Sequence, residues 1–185
     1  QDALLHPARL SVELLRYGIR VDLAHSEHGA ILVFTRLRAE TLRLRFYFDA
    51  SHAISAALAA RELWGITRDH QGGVAGDFGL HWFATVNERA EAFHRTQDGG
   101  YLVFPDHVDQ VVLALSGSFV SQECARAAHA RELAGVSMTE LAGEGEAVWE
   151  RMLGRILIDA VDERQERTFY SSLYRCLLFP RFLDE

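Results

Sequence analysis

Residues 110–133 read QVVLALSGSFVSQECARAAHAREL, and the period of the chain changes inside this stretch. Gln110 to Leu115 is a short apolar run of strand length, closed by Ser116, Gly117 and Ser118. From Gln122 to Leu133 most residues are good helix formers. The stretch predicts a strand that hands over to a helix near residue 120. Upstream the chain is then expected to be mainly β, and downstream helical.

Upstream, alternation dominates. Leu10, Val12 and Leu14 alternate with Ser11 and Glu13, and Ile19, Val21 and Leu23 alternate with Arg20 and Asp22. A period of two sends one set of side chains to a core face and the other toward solvent. Ile31 to Leu37 is denser, as expected of a strand buried on both faces. Leu42, Leu44, Phe46 and Phe48 alternate again. Tyr17-Gly18 and His28-Gly29 stand where hairpin turns are needed. Further strands are predicted over 62–67, 80–86, 101–104 and 110–115. Turn-rich pieces separate them, over 69–79, at Gln97-Asp98-Gly99-Gly100 and at Pro105-Asp106. The Ala-rich segment 53–60 is read as a helical turn. Short strands so regularly punctuated predict an antiparallel β-sandwich.

Downstream, Ser137-Met138-Thr139-Glu140 fits a capping box, and the helix after it carries Leu141, Val148, Trp149, Met152 and Leu153. Gly143 and Gly145 weaken that helix. Asp162 is placed to cap a third helix. There Phe169, Leu173 and Leu177 form one line, and Tyr170, Tyr174 and Leu178 an adjacent one. Pro180 ends it by disfavouring helix at Phe179. Three such helices are few for a closed helical domain: either they pack on the sandwich or the chain is cut from something larger, and so broad a stripe favours the second.

Composition narrows the function classes. The 185 residues hold 26 acidic and 19 basic side chains, a formal charge of −7. That balance argues against nucleic acid as the main partner, since phosphate affinity comes from clustered Lys and Arg. No apolar run approaches the roughly 18 residues of a membrane-spanning helix, and no signal peptide is expected from the N-terminal residues. Two distant cysteines, Cys124 and Cys176, predict neither a disulfide framework nor a cysteine-built zinc site. Both fall on helix patterns and read as buried thiols.

The chemical motifs are each weak. The loop DHQGGVAGDFG at 69–79 lacks the spacing and the Lys of a phosphate cradle. His25 and His28 flank a turn and read as solvated, since zinc needs three or four converging ligands. Asp106, His107 and Asp109 form a polar knot without calcium-loop spacing, and read as a loop. Ser118 reads as a buried strand end, with no nucleophile elbow around it. Asp159 and Asp162 are close in sequence, but sugar hydrolysis needs set spatial separations. Trp64, Trp82 and Trp149 are assigned to core packing.

Several segments in order nevertheless resemble one family. Ser118-Phe119-Val120-Ser121 followed by Ala125-Arg126 resembles the SFVS-x-x-x-A-R junction of glycoside hydrolase family 92. Phe169-Tyr170-Ser171-Ser172-Leu173-Tyr174 through Pro180 resembles that family's FYTALYHxLLxP helix, with Trp149 in the place of a recurring Trp between. Gly18 to Thr35 is similar to its first strand pair, and Phe46 to His52, FYFDASH, to its L-x-D-x-S-H segment. Arg175 stands where the family has His, and Ser116-Gly117 departs from its usual apolar-Gly-Ile.

The resemblance implies a calcium-dependent, inverting exo-α-mannosidase acting on mannose-containing glycans, secreted or periplasmic. It implies residues 1–120 as most of a β-sandwich, with an N-terminal part of it expected ahead of residue 1, 121–161 as linker helices and 162–185 as the first helix of a truncated (α/α)6 barrel. The barrel, with its catalytic carboxylates and calcium site, is expected beyond Glu185, so no catalytic or metal-binding residue is assigned within the chain. Asp184, near the family's F-x-D turn, is the one residue placed toward the sugar. Two alternatives stay open: a stand-alone carbohydrate-binding or docking sandwich, and a helix-mediated oligomerisation domain.

Overall fold

The computed structural model describes residues 3–38, 43–47, 52–68, 73–96, 99–159 and 161–178. Eleven strands precede three helices among them. The strands are β1 (Ala3–His6), β2 (Arg9–Leu14), β3 (Ile19–His25), β4 (Gly29–Arg36), β5 (Arg43–Tyr47), β6 (His52–Ala57), β7 (Glu62–Thr67), β8 (Leu80–Val86), β9 (Ala92–Thr96), β10 (Gly99–Val103) and β11 (Gln110–Ser118). The helices are α1 (Gln122–Glu132), α2 (Met138–Leu153) and α3 (Glu163–Leu177). The chain is therefore mostly antiparallel β with C-terminal helices.

One sheet has eight strands in the order β1-β2-β3-β4-β11-β8-β7-β6, and the other has three, β5-β10-β9. Every described pairing is antiparallel. β11 is the central seam, paired to β4 on one side and β8 on the other.

Register assigns the two faces of the large sheet. Val86 pairs with Leu113, Ala84 with Leu63 and Gly65 with Ile54, and these rows face the small sheet. With Leu102, Phe104 and Val108 they form the main core. Gly65 is required there, because a Cβ would strike the Trp82 ring at 2.8 Å and the Ala53 carbonyl. The opposite face carries Ala24 and Ile31 against Leu133, Leu141 and Ala142, a second core under the helices. β4 feeds both cores, Leu32 and Phe34 one way, Ile31 and Val33 the other. The dense run at 31–37 thus has the two-sided burial its composition predicts.

Three corrections stand against the sequence reading. Segment 53–60 is not a helical turn: its first half is strand β6, followed by a turn at 58–61. Ile54 and Ala56 face the core, and packing overrides alanine's helical preference. Gly99 and Gly100 are not turn residues but the start of β10, where a Cβ on Gly100 would meet the Phe93 ring at 2.6 Å. Strands β1 and β9 carry too little alternation to be found by pattern.

Two helices start at the caps read from sequence, Ser137 and Asp162, and the first starts at Ser121, which the sequence reading did not identify as a cap. The Ser121 side chain accepts from the Cys124 N–H, and Asp162 from the Gln165 N–H. The capping box at Ser137 and Glu140 is closed in both directions. Gly145 lies against Ala8, 3.0 Å from where its Cβ would be, so its cost in helix propensity permits close packing of α2 on the β1–β2 turn. Among the described residues no helix is long and apolar enough to cross a membrane.

Candidate functional site

The junction around the SFVS residues ties the last strand to the first helix through side-chain hydrogen bonds. Ser118, buried at the end of β11, accepts through Oγ from the N–H groups of Val120 (2.9 Å) and Ser121 (3.3 Å). That turn sends Phe119 and Val120 to the surface, 43% and 64% exposed. Phe119 stacks on Phe78 from the 73–79 loop, ring centroids 5.2 Å apart. Ser116 Oγ donates to the Ala125 carbonyl at 2.8 Å, fixing α1 on the sheet, and Gln122 donates to the Trp82 carbonyl at 3.0 Å.

The Arg126 guanidinium lies over Phe83 (4.1 Å) and Trp64 (5.3 Å), and pairs with Glu62 at 3.0 Å. Trp64 is therefore a half-buried cation platform and not the core residue its pattern predicts. His129 is buried edge-on against Phe83, its Nε2 3.0 Å from Thr85 Oγ1. Burial holds its imidazole below the usual range, opposed by a backbone hydrogen bond at Ala114 and by the Glu62 charge. A neutral, hydrogen-bonded histidine of this kind seats a helix.

The second tether joins the β3–β4 hairpin to the end of α1. Glu132 Oε2 accepts from the His28 backbone N–H at 2.9 Å, and Oε1 lies 2.7 Å from His28 Nδ1. Arg131 donates to Oε1 at 2.7 Å. Burial alone would raise the Glu132 pKa, but these hydrogen bonds outweigh it and bring it down to about 2. His28 is thus not the solvated turn residue that its position suggests. His25 is exposed, and its ring lies within hydrogen-bond distance of the Pro7 and Ser26 carbonyls. Beside this tether a groove of about 600 Å³ runs between the hairpin and α2, lined by Ser26, Arg131, Glu144 and Trp149 among others.

The third feature is α3, which buries no residue. Phe169, Tyr170, Leu173, Tyr174 and Leu177 are only half-buried. Trp149 reaches Tyr174 (centroids 4.8 Å), and the Tyr170 hydroxyl donates to the Ile156 carbonyl at 3.2 Å. Beyond these, Leu157 and Val161 are 84% and 91% exposed.

The remaining sequence candidates are dispersed. Asp184 lies outside the described residues, as do Phe179 and Pro180, residues 48–51 of FYFDASH and residues 69–72 of the glycine loop. Asp109 pairs with Arg36 at 2.6 Å, so the 106–109 knot is a tied loop. Trp82 is core. Cys124 is half-buried and Cys176 exposed, so the expectation of buried thiols fails at Cys176, which the open side of α3 carries. Arg175 is exposed on the same helix. Asp162 is spent on its cap. Among the described residues no three His, Cys, Asp or Glu side chains converge to hold a metal ion.

Residues 124–185 match the family model of the glycosyl hydrolase family 92 catalytic domain. No curated protein sequence matches the chain. Among solved structures, the family 92 inverting mannosidase of Bacteroides thetaiotaomicron superposes with a TM-score of 0.84 at 24% identity, over 97% of this chain and 26% of that one. A family 92 α-mannosidase of the same organism gives 0.80 at 19% identity, over 99% of this chain and 28% of that one. In its complex with mannoimidazole that second enzyme gives 0.74, over 93% of this chain. The resemblance read from the sequence therefore holds, by family model over 124–185 and by fold over nearly the whole chain. The chain spans about a quarter of the length of the structures it matches.

Proposed function

We propose, with the family 92 match as premise, that this chain is the front part of an exo-acting α-mannosidase that releases terminal mannose from glycans with inversion. The observation that carries the reading is α3. It lies inside the segment matched to a catalytic domain, presents two lines of apolar and aromatic side chains, and buries none of them. A helix of that composition is made to be enclosed. In this reading residues 1–120 are the sandwich, 121–161 the linker and 162–185 the first helix of an (α/α)6 barrel, whose other helices lie outside residues 1–185.

The chemistry assigned to the whole enzyme is direct attack of water at the anomeric carbon. One carboxylic acid protonates the leaving oxygen, and a carboxylate on the opposite face activates the water. No step is assigned to a carboxylate of this chain. Calcium, which the family implies, has its site assigned to the rest of the barrel by that resemblance, and no step is derived through it. Asp184 remains the residue of this chain placed toward the sugar, and a secreted or periplasmic location follows the family.

The test is an assay of aryl α-mannosides with calcium on the 185-residue chain and on a longer polypeptide expressed from its coding region. The expected outcome is hydrolysis with inversion, followed by NMR, from the longer form only. Turnover by the 185-residue chain alone would put the reacting groups inside it and overturn the assignment. In the longer form, Asp184→Asn is expected to raise KM more than it lowers kcat.

A further inference from the structure

The small sheet has an inner face spent on the core and an outer face of different chemistry. Leu102 and its partner Phe93 pack into the main core. Tyr101 with His94, and Val103 with Ala92, therefore fall on the outer side. β5 extends those rows, with Arg45 opposite Tyr101 and Arg43 opposite Val103. The helices pack on the far face of the large sheet, against Ala24 and Ile31, so both sheets separate them from this side. Acidic residues outnumber basic ones by 26 to 19 in the chain. Yet the nine outward positions of β5, β10 and β9 hold two arginines, one histidine and no carboxylate. Arg43 and His94 are exposed, and Tyr101 is half-buried. The His94 and Tyr101 rings stack with centroids 4.8 Å apart and planes 21° from parallel. Arg95, on the inner side, is instead spent on the Ile54 carbonyl.

We propose that the outer face of the β5–β10–β9 sheet binds a short acidic oligosaccharide through the carboxylates of its uronic-acid residues. Charge complementarity selects the anion: a guanidinium matches a carboxylate in a two-pronged hydrogen-bonded pair. Positions 43 and 45 lie about 7 Å apart along one strand, a spacing that neighbouring charged sugars can span. The Tyr101–His94 pair adds ring surface for the C–H face of a sugar, with a hydroxyl and an imidazole for its polar edge. Size argues against a protein partner. Three strands by five residues cover roughly 250 Å² in plan, well below the roughly 800 Å² per partner of a stable interface. Nucleic acid would need more clustered cations than this face supplies. The choice of a glycan rests on the reading of the chain as part of a glycan-cleaving enzyme. The surface itself does not depend on that reading.

The experiment titrates the 185-residue chain with trigalacturonate and, separately, with mannotriose, followed by NMR. Trigalacturonate should bind saturably, about tenfold or more tightly than mannotriose, and more weakly as salt is raised. The double variant Arg43→Glu, Arg45→Glu should weaken it about tenfold or more, and Tyr101→Ala about threefold. Arg16→Glu makes the same kind of charge change in an exposed turn, and should alter binding by no more than about twofold. If the double variant does not fold, Arg43→Gln, at an exposed position, gives the same readout at about threefold. Equal affinity for the two trisaccharides overturns the proposal, and so does an equal loss from Arg16→Glu. Competition by inorganic phosphate or polyglutamate as effective as that by the trisaccharide overturns it too, since the face would then read charge alone. So does a longer polypeptide that no longer binds. Trigalacturonate binding with no mannoside hydrolysis by the longer form would strike the enzyme reading and leave this one standing.

Discussion

Helices α1 and α3 begin alike and end differently. Each starts at a short polar cap, Ser121 or Asp162, whose side chain accepts from the backbone N–H three residues on. Yet α1 buries Ala125, Ala128 and His129, and α3 buries nothing. The contrast lies in side-chain size. α1 meets the sheet with alanines, which let its backbone approach closely enough for Ser116 to bond the Ala125 carbonyl. α3 carries Phe, Tyr and Leu, which suit a wide gap between helices. Local signals decide where a helix forms, and the size of its apolar face decides what it is made to meet.

The largest effect that tests this contrast lies at the end of α1. A carboxylate in the last turn opposes the helix dipole, so Glu132 is there for its tether to His28. Its pKa falls from 4.5 to about 2 on folding. A depressed carboxylate contributes stability that is present above the unfolded value and lost as pH falls through the folded one. The contribution is about 3 kcal/mol. In urea melts the gap between wild type and Glu132→Gln should be widest near neutrality, narrow below pH 4.5 and close near 2. A gap of constant size across that range would show that the tether carries no titration.

Next in size is Ala125→Leu. Ala125 is fully buried between α1 and the sheet, and the added carbons force helix and sheet apart. The expected loss is about 2 kcal/mol in denaturant unfolding. A loss below about 0.5 kcal/mol would mean that α1 is loosely seated, and would erase its difference from α3.

How much of this was legible in sequence follows from the same physics. The change of period at 118–122, the caps at Ser137 and Asp162 and the two lines on α3 are local patterns, and each stands where it was read. The resemblance to one family was legible because its motifs occupy the strand-to-helix junction and α3, where spacing is fixed by geometry. β6 was not legible, because its alanines favour helix locally and the pairing with β7 that makes it a strand lies outside the segment. Nor was the role of His28, whose partner is 104 residues distant. The pairing of Arg126 with Glu62 over the Phe83 and Trp64 rings is equally non-local. Alternation revealed that β2 and β3 have an apolar face, but no pattern within a strand says whether a second layer covers it.

The smallest effect is the most diagnostic. Leu173 sits mid-helix on α3, half-buried and without a core. In the 185-residue chain Leu173→Ala should change stability by no more than about 0.5 kcal/mol, as at a surface site. In the longer polypeptide, where the stripe is enclosed, the same substitution should cost about 2 kcal/mol or more through the cavity it leaves. Ala125→Leu should cost the same in both, because its partner, the sheet, is already present. A Leu173→Ala loss of core size in the short chain would show that α3 is already packed there, and with it the argument for an unfinished ring of helices would fall.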